Sequence, residues 1–259
     1  MSGAAKMKAI FSDKKRTVDK LTLGEFRALF EKGGCPICGI CARSLERFYF
    51  WFVVESYYNP SMIEELKKSY GFCKEHAWKL IETGRDYIIG VMFEYLTEST
   101  KIKLEHFLKE IRSSKASKKS RYRWKLRRGD FEKIRETLGH RSQCPACESV
   151  ELNEKYATGQ FLAVLKEQEM KDLYVKSGGL CFHHLQQVLS ISDESEAVFL
   201  IEDEIKRSQR MNDELGEFLR KVAYQHRNEP QGAEQSSWIR AAEFFVGKEY
   251  DPLAMLKRF

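Results

Sequence analysis

Cys35-Pro36-Ile37-Cys38 and, after a long gap, Gly71-Phe72-Cys73-Lys74-Glu75-His76 form the most specific pattern in the chain. The same order of motifs returns as Cys144-Pro145-Ala146-Cys147 and Gly179-Leu180-Cys181-Phe182-His183-His184. Matching positions lie 109 residues apart in the first motif (35 to 144) and 108 residues apart in the second (73 to 181). A four-position cysteine and histidine pattern that repeats in this register indicates two copies of one metal-binding unit.

The ligand types favour zinc. Zn²⁺ takes four ligands in a tetrahedron, and a structural site usually fills all four positions with Cys or His. CPxC places two thiolates at the start of a helix, and CxxH adds a third thiolate and an imidazole on one face of another. We expect two zinc ions per chain. In sequence order the ligands are Cys35, Cys38, Cys73 and His76 for the first site, and Cys144, Cys147, Cys181 and His184 for the second.

Two other metal or thiol chemistries remain alternatives. An iron–sulfur cluster uses mainly cysteine, and histidine ligation is its minority case. A CPxC dithiol redox centre suits a helix start, but no thioredoxin-like βαβ pattern surrounds either motif. Cys41 extends the first motif to C-x2-C-x2-C, whereas the matching position is Val150, so Cys41 is predicted to be a small core residue. The repeat register favours His184 over His183, which is predicted to be a surface or supporting group.

Helical periodicity runs through the chain, and period-two alternation is nowhere convincing, so the predicted fold class is all-α. We expect two homologous helical units in tandem, each stapled by a site of three cysteines and one histidine, plus a C-terminal helix. The expected boundaries are a basic flexible arm (1–20), a first repeat (21–111), a basic linker (112–129), a second repeat (130–224) and a C-terminal helical segment (236–259) that packs on the repeats.

Composition describes a soluble globular protein, with 42% hydrophobic and 32% charged residues among 259. No apolar run approaches the ~20 residues of a membrane-spanning helix, and no secretory signal is visible. Six of the seven cysteines stand in CxxC or CxxH spacing, which fits reduced thiols better than a disulfide framework. The predicted location is the cytoplasm.

The net charge of +6 comes from one segment. Residues 111–130 contain nine Lys or Arg and one acidic residue, with Tyr122 and Trp124 interleaved. Clustered cations can release counterions from nucleic-acid phosphates, and aromatic rings can stack on exposed bases. Nucleic-acid binding through residues 112–128 is therefore one hypothesis, and a solvated flexible tether is the favoured alternative.

The first repeat carries more aromatic residues than the second, above all between Phe48 and Phe52. This surplus predicts a surface that is covered by a protein partner or by a second copy of the chain. No nucleophile–base pair, phosphate-binding glycine loop or paired carboxylates occur in a recognisable motif, so the sequence favours a non-enzymatic protein. The leading hypothesis is a zinc-stapled helical scaffold that binds a macromolecular partner.

The tandem CPxC and G[F/L]CxxH motifs resemble those of an uncharacterised prokaryotic family, a domain of unknown function in a helical protein of about this length. The resemblance covers residues 22–222, and the helix that begins Ser237-Trp238-Ile239-Arg240 is similar as well. Gly178-Gly179-Leu180 departs mildly from the GFC form seen at Gly71. The resemblance implies a helical fold and two metal sites, and it assigns no activity.

Overall fold

The computed structural model describes residues 18–116, 142–226, 228–251 and 253, and within these ranges it contains helices but no β-strand. The predicted all-α class is confirmed. The α-helices of the described ranges are α1 (Lys20–Lys32), α2 (Pro36–Val54), α3 (Pro60–Ser69), α4 (Lys74–Ile81), α5 (Asp86–Ala116), α6 (Pro145–Val164), α7 (Gln168–Lys176), α8 (Phe182–Ile191), α9 (Glu194–Val222) and α10 (Ser237–Val246). Short 3-10 helices lie at Ser56–Tyr58, Tyr224–His226 and Ala233–Ser236.

Proline and capping residues set several of these helix boundaries. Three helices begin with proline, at Pro36, Pro60 and Pro145. Proline lacks a backbone N–H, but the N–H of the first helical residue has no partner within the helix, so no hydrogen bond is lost. Helix α9 begins with a capping box in which the Asp193 side chain accepts from the Glu196 backbone and Glu196 accepts from Asp193. Two of the proline starts follow directly on Cys35 and Cys144, so helix initiation and ligand placement are coupled in the sequence.

The chain divides into two compact units that are not continuous in sequence. Unit 1 comprises residues 1–44 and 151–251, and unit 2 comprises residues 45–150 and 252–259. This division differs from the expected one, in which each repeat closes on itself. Helices α2 and α6 each begin in one unit and end in the other, because the unit boundaries fall after residues 44 and 150.

Unit 1 has an aromatic core that joins α1 to α6 and α7. Phe30 lies edge-on to Phe161 and Tyr174, with ring centroids 6.4 and 5.8 Å apart, and Phe161 and Tyr174 are themselves 5.3 Å apart. All three side chains are buried. Offset and edge-to-face pairs of this kind add to the stabilisation from burial alone.

Unit 2 has a second core, built largely from the aromatic residues of α2. Phe52 lies 5.1 Å from Phe72 and edge-on to it, and Tyr49 is fully buried beside them. The aromatic surplus of the first repeat therefore mostly fills this core, while Trp51 and Val54 remain half-exposed. The prediction that this surplus is covered by a protein partner or by a second copy of the chain is therefore wrong for the residues that fill the core.

Other sequence expectations fall at the edges of the described ranges. Most of the N-terminal arm and residues 117–141, which hold most of the basic linker, lie outside the described residues. Helix α5 extends to Ala116, so the first five residues of the expected linker (112–116) are helical. Among the described helices, none combines the length and the apolar character needed to cross a bilayer.

Candidate metal centres

The first cluster, in unit 1, brings together the ligand atoms of four residues: Cys35, Cys38, Cys181 and His184. All four ligand atoms lie within 4.8 Å of one another. The Nδ1 atom of His184 is 3.3 Å from the Sγ of Cys35, 3.3 Å from that of Cys38 and 3.1 Å from that of Cys181. The sulfurs of Cys38 and Cys181 are 3.7 Å apart.

The second cluster, in unit 2, has the same composition: Cys73, His76, Cys144 and Cys147. The His76 Nδ1 atom is 3.3 Å from the Sγ atoms of Cys73 and Cys147 and 3.6 Å from that of Cys144. The Cys73 and Cys147 sulfurs are 3.8 Å apart. Both clusters thus present three thiols and one Nδ1 to a common centre.

The structure places all eight predicted ligands in clusters but groups them differently from the sequence order. CPxC of the first repeat meets CxxH of the second in the first cluster, and CPxC of the second repeat meets CxxH of the first in the second cluster. The sequence-order grouping of Cys35 and Cys38 with Cys73 and His76 is therefore wrong. The stated composition of each site, one CPxC pair plus one CxxH pair, is what the structure contains.

Each ligand pair occupies the same two positions at a helix start. Cys73 and Cys181 are the N-caps of α4 and α8, and their carbonyls accept the first helical hydrogen bonds at 2.8 Å. Cys35 and Cys144 stand just before α2 and α6 and accept in the same way. Two helix N-termini therefore point into each cluster, where unpaired N–H groups and the helix dipole stabilise thiolate charge.

In unit 1 the two ligand-bearing loops meet backbone to backbone. A Cβ atom added at Gly178 would lie 2.5 Å from the Gly34 backbone nitrogen, so a side chain at this position would force the loops apart. Gly34 itself has a φ of +79°, which an L side chain adopts at a cost. Gly178 is therefore required by the close approach of the two loops, and Gly34 is favoured by its backbone conformation.

Arg207 of α9 anchors the loop that carries Cys181. Its guanidinium donates to the carbonyls of Ser177, Tyr174 and Val175 at the end of α7. It also pairs with Asp203 at 2.6 Å, and both side chains are at most 10% exposed. The pair with Asp203 lies within α9 and keeps the guanidinium in place, and the hydrogen bonds of the guanidinium to the three carbonyls hold the loop. No local sequence signal distinguishes Arg207 from the other basic residues of α9.

The segment after α10 covers one side of the first cluster. A Cβ atom at Gly247 would lie 3.0 Å from the Cys38 sulfur and 4.0 Å from the Cys181 sulfur, so the backbone here packs on the ligands. Burial, and next the nearby Cys38 and Cys35 thiols, raise the pKa of Tyr250 to about 12. Gly247 and Tyr250 therefore lie close to the sulfurs on this side of the cluster.

Glu154 of α6 holds the histidine of the first cluster from behind. Its Oε1 atom is 3.0 Å from the Nε2 of His184 and 3.1 Å from the Nε2 atoms of His183 and Gln187. A carboxylate on the second ring nitrogen fixes the tautomer that leaves Nδ1 as the metal ligand. The sequence analysis missed Glu154, although the matching position in the first repeat, Leu45, marks a visible difference between the copies.

Burial and neighbouring thiols shift the pKa values of three candidate ligands, Cys38, Cys147 and Cys181. Burial and the neighbouring Cys144 thiol raise the pKa of Cys147 to about 12. The pKa of Cys38 is also raised, first by the hydrogen bond between its thiol and Cys181, whereas the hydrogen bonds of Cys35 and Cys38 lower that of Cys181. Because the thiolate is the form that binds a metal, a cation that binds here displaces protons from these sulfurs.

The two histidines differ in their electrostatic surroundings. Burial lowers the pKa of His76, so its imidazole is neutral at pH 7 and Nδ1 can act as a ligand. Burial also disfavours the charged form of His184, but the sulfurs around Nδ1 and the Glu154 carboxylate outweigh it and raise the pKa. The pKa of Glu154 is lowered in turn, mainly by its hydrogen bond with His184.

The sequence profile of a family of unknown function, DUF6062, matches residues 21–252 of the chain. No curated protein and no solved structure matches the chain. The profile spans both clusters and most of both units, so the chain belongs to the DUF6062 family.

Proposed function

We propose that this DUF6062 protein binds two zinc ions, one in each cluster, and that the ions staple a helical scaffold that binds another macromolecule. The observation that carries the proposal is the convergence of eight cysteine and histidine ligand atoms into two compact sets of four. These residues are far apart in the chain, and the metal-binding free energy of such a site becomes folding free energy.

The distances within each set support a single ion. Zn–S bonds of about 2.3 Å and Zn–N bonds of about 2.0 Å in a tetrahedron place two sulfurs about 3.8 Å apart, and sulfur and nitrogen about 3.5 Å apart. One sulfur pair in each set is 3.7 or 3.8 Å apart, the sulfur–nitrogen distances are 3.1–3.6 Å, and all ligand atoms of a set lie within 4.8 Å of one another.

The same distances argue against an iron–sulfur cluster. In such a cluster the protein ligands bind different irons, so the four ligand atoms spread over a larger volume than the shell of one ion. Here all four ligand atoms of each set lie within 4.8 Å of one another. The dithiol alternative is also less well supported, because each CPxC pair has an imidazole and a third thiol beside it.

The ligand count supports a structural role for the metal. Three cysteines and one histidine complete a zinc shell and leave no position for a reacting water. The Cys35, Cys181 and His184 side chains are buried, which keeps solvent from the first cluster. We further propose that the partner is a protein that contacts the half-exposed Trp51 and Val54 of unit 2 and the exposed Tyr58.

Metal analysis of the full chain, purified without added metal, tests the proposal. Mass spectrometry under native conditions is expected to show two zinc ions per chain, and elemental analysis is expected to show neither iron nor acid-labile sulfide. Iron with sulfide would establish the cluster alternative. CPxC disulfides with no metal would exclude both the zinc and the iron–sulfur assignments.

A further inference from the structure

The contacts around Glu154 include a triangle of polar atoms that hydrogen bonding alone satisfies incompletely. The Nε2 of His183 lies 3.1 Å from Glu154 Oε1 and 3.0 Å from Gln187 Nε2, and Gln187 Nε2 lies 3.1 Å from the same carboxylate oxygen. If His183 donates to Glu154, it faces an amide N–H. If it accepts from Gln187, its lone pair faces the carboxylate. One of the three contacts is unfavourable in either tautomer.

A divalent cation would satisfy all three groups at once. Imidazole nitrogen and carboxylate oxygen are ordinary zinc ligands, and Gln187 offers an amide oxygen when its side-chain amide is turned over. The Thr158 hydroxyl lies 3.3 Å from the Gln187 amide oxygen but only 2.8 Å from the Glu154 carbonyl, so it holds the amide weakly. His183 and Gln187 are one helical turn apart on α8, so both face Glu154.

Exposure falls in steps from this triangle to the first cluster. The His183 side chain is 61% exposed, that of Glu154 is 19% exposed and that of His184 is 6% exposed. The shared carboxylate oxygen contacts the outer histidine and the ligand histidine at 3.1 and 3.0 Å. The possible metal ligands therefore form a series that begins at the exposed His183, continues through Glu154 and ends at the buried His184 and its neighbouring thiols.

We propose that His183, Glu154 and Gln187 form a loading subsite through which a divalent metal ion enters and leaves the first cluster. The inference rests on the metal-binding function proposed above. The matching positions beside the second cluster are Leu45, Glu75 and Lys79, an apolar side chain and a pair of opposite charges. The second cluster lacks the subsite and provides an internal control.

Exchange of ¹¹³Cd²⁺ into the zinc-loaded full chain tests the subsite. Cadmium NMR resolves the two clusters, and scalar coupling to cysteine β-protons assigns each signal. We expect the first cluster to exchange about tenfold faster than the second, the lower end of effects attributed to groups outside the ligand shell. In the His183→Ala/Gln187→Ala variant, the first cluster is expected to slow to the rate of the second.

The matched control is Glu75→Ala/Lys79→Ala, which alters the corresponding positions beside the second cluster and is expected to leave both rates unchanged. Chelator competition is expected to give the same equilibrium affinity for both variants and the wild type. The subsite is excluded if the first cluster exchanges at the wild-type rate in the His183→Ala/Gln187→Ala variant, if both clusters slow equally, or if only the affinity falls. A chain that holds neither zinc nor cadmium would instead refute the proposed function.

Discussion

The first and second clusters present the same three thiols and one imidazole, but the side chains around them differ in kind. The Nε2 atom of His184 contacts Glu154, which also contacts His183 and Gln187. The ring of His76 instead packs edge-on to the buried Tyr49, 6.3 Å away. Tyr49 also donates to the His76 carbonyl at 3.0 Å. A metal ion would need the same ligand atoms in both copies. The surroundings are free to differ and would give each cluster its own affinity and kinetics.

The loops before the ligands differ in the same way. Gly178 of unit 1 corresponds to Tyr70 of unit 2, and Leu96 lies against Gly71 where Arg207 lies against Gly179. Tyr70 ends α3 in the left-handed conformation, with a φ of 55°, and the Ser69 hydroxyl donates to the Gly71 carbonyl at 2.9 Å. One loop is thus held by a distant arginine and a glycine contact, and the other by local hydrogen bonds. Perturbation of either loop should affect one cluster and spare the other.

The largest expected effect is the loss of one ion in Cys73→Ser. Structural zinc contributes about 10–16 kcal/mol of binding free energy, and much of it is folding free energy, so unit 2 should lose several kcal/mol of stability. Timed alkylation with mass spectrometry should find Cys144 and Cys147 reactive, while Cys35 and Cys38 stay protected. Native mass spectrometry should count one ion.

Cys41→Ser is the control for this variant, because Cys41 is half-buried beside the first cluster and is not one of its four ligands. It should retain two ions and the wild-type protection pattern. Reactive Cys35 and Cys38 in Cys73→Ser would contradict the observed grouping, since only pairing in sequence order connects them to Cys73.

A smaller effect is expected for Gly178→Ala. The new Cβ meets the Gly34 backbone at 2.5 Å, and overpacking of this kind costs about 1–3 kcal/mol. The first cluster should lose metal to a chelator sooner, and the second should not. Gly216→Ala on α9, where an added Cβ meets nothing within 4 Å, is the control and should not destabilise the chain. Equal loss from both clusters would show that the glycine contact is not specific to unit 1.

Glu154→Gln is expected to weaken metal binding at the first cluster by about tenfold, because changes in groups that support a ligand usually cost 10–100-fold. The amide keeps the acceptor oxygen near His184 Nε2 but removes the charge. Competition with a chelator, read separately at the cysteines of each cluster, measures the change. Leu45→Ala at the matching position should leave the affinity of the second cluster within about threefold, since no ligand contact is lost. A similar fall at both clusters would remove the distinction between them.

Acidification is the condition in which the two clusters should differ least. The raised pKa values of Cys38 and Cys147 mean that protons must leave both clusters when metal binds at neutral pH. Affinity should therefore fall as pH falls, by about tenfold per pH unit for each proton released. Zinc retention during dialysis against a chelator at decreasing pH checks the direction. Retention that improves on acidification at either cluster would refute thiolate ligation there.

Much of the fold and of the candidate sites follows from local sequence signals. The CPxC and CxxH spacings, with proline at helix starts, place the eight ligands at equivalent helix positions, and apolar periodicity predicts the all-α class. The side chains that surround these eight residues are harder to predict from the sequence. Glu154, Gln187 and Arg207 lie on helix faces where polar residues are common, and only their contacts mark them.

The sequence could not predict which CPxC motif joins which CxxH motif. Because the motifs repeat, both pairings give each site three cysteines and one histidine. Distance along the chain is a weak guide as well. The observed pairings close loops of 146 and 71 residues, whereas pairing in sequence order would close two loops of about 38 residues. The entropy of the longer loops raises the free energy of closure by only about 2 kcal/mol. Burying one large apolar side chain contributes about 1.5–3 kcal/mol.

The sequence by itself determined the ligands, the helices that present them and the composition of each site. Only the tertiary structure decided which CPxC meets which CxxH. In unit 1, Phe26 and Phe30 of the helix before Cys35 pack on Phe161 and Tyr174, of which Tyr174 lies in the helix before Cys181. These buried aromatic contacts outweigh the small entropic advantage of the shorter loops, and they bring Cys35 to Cys181.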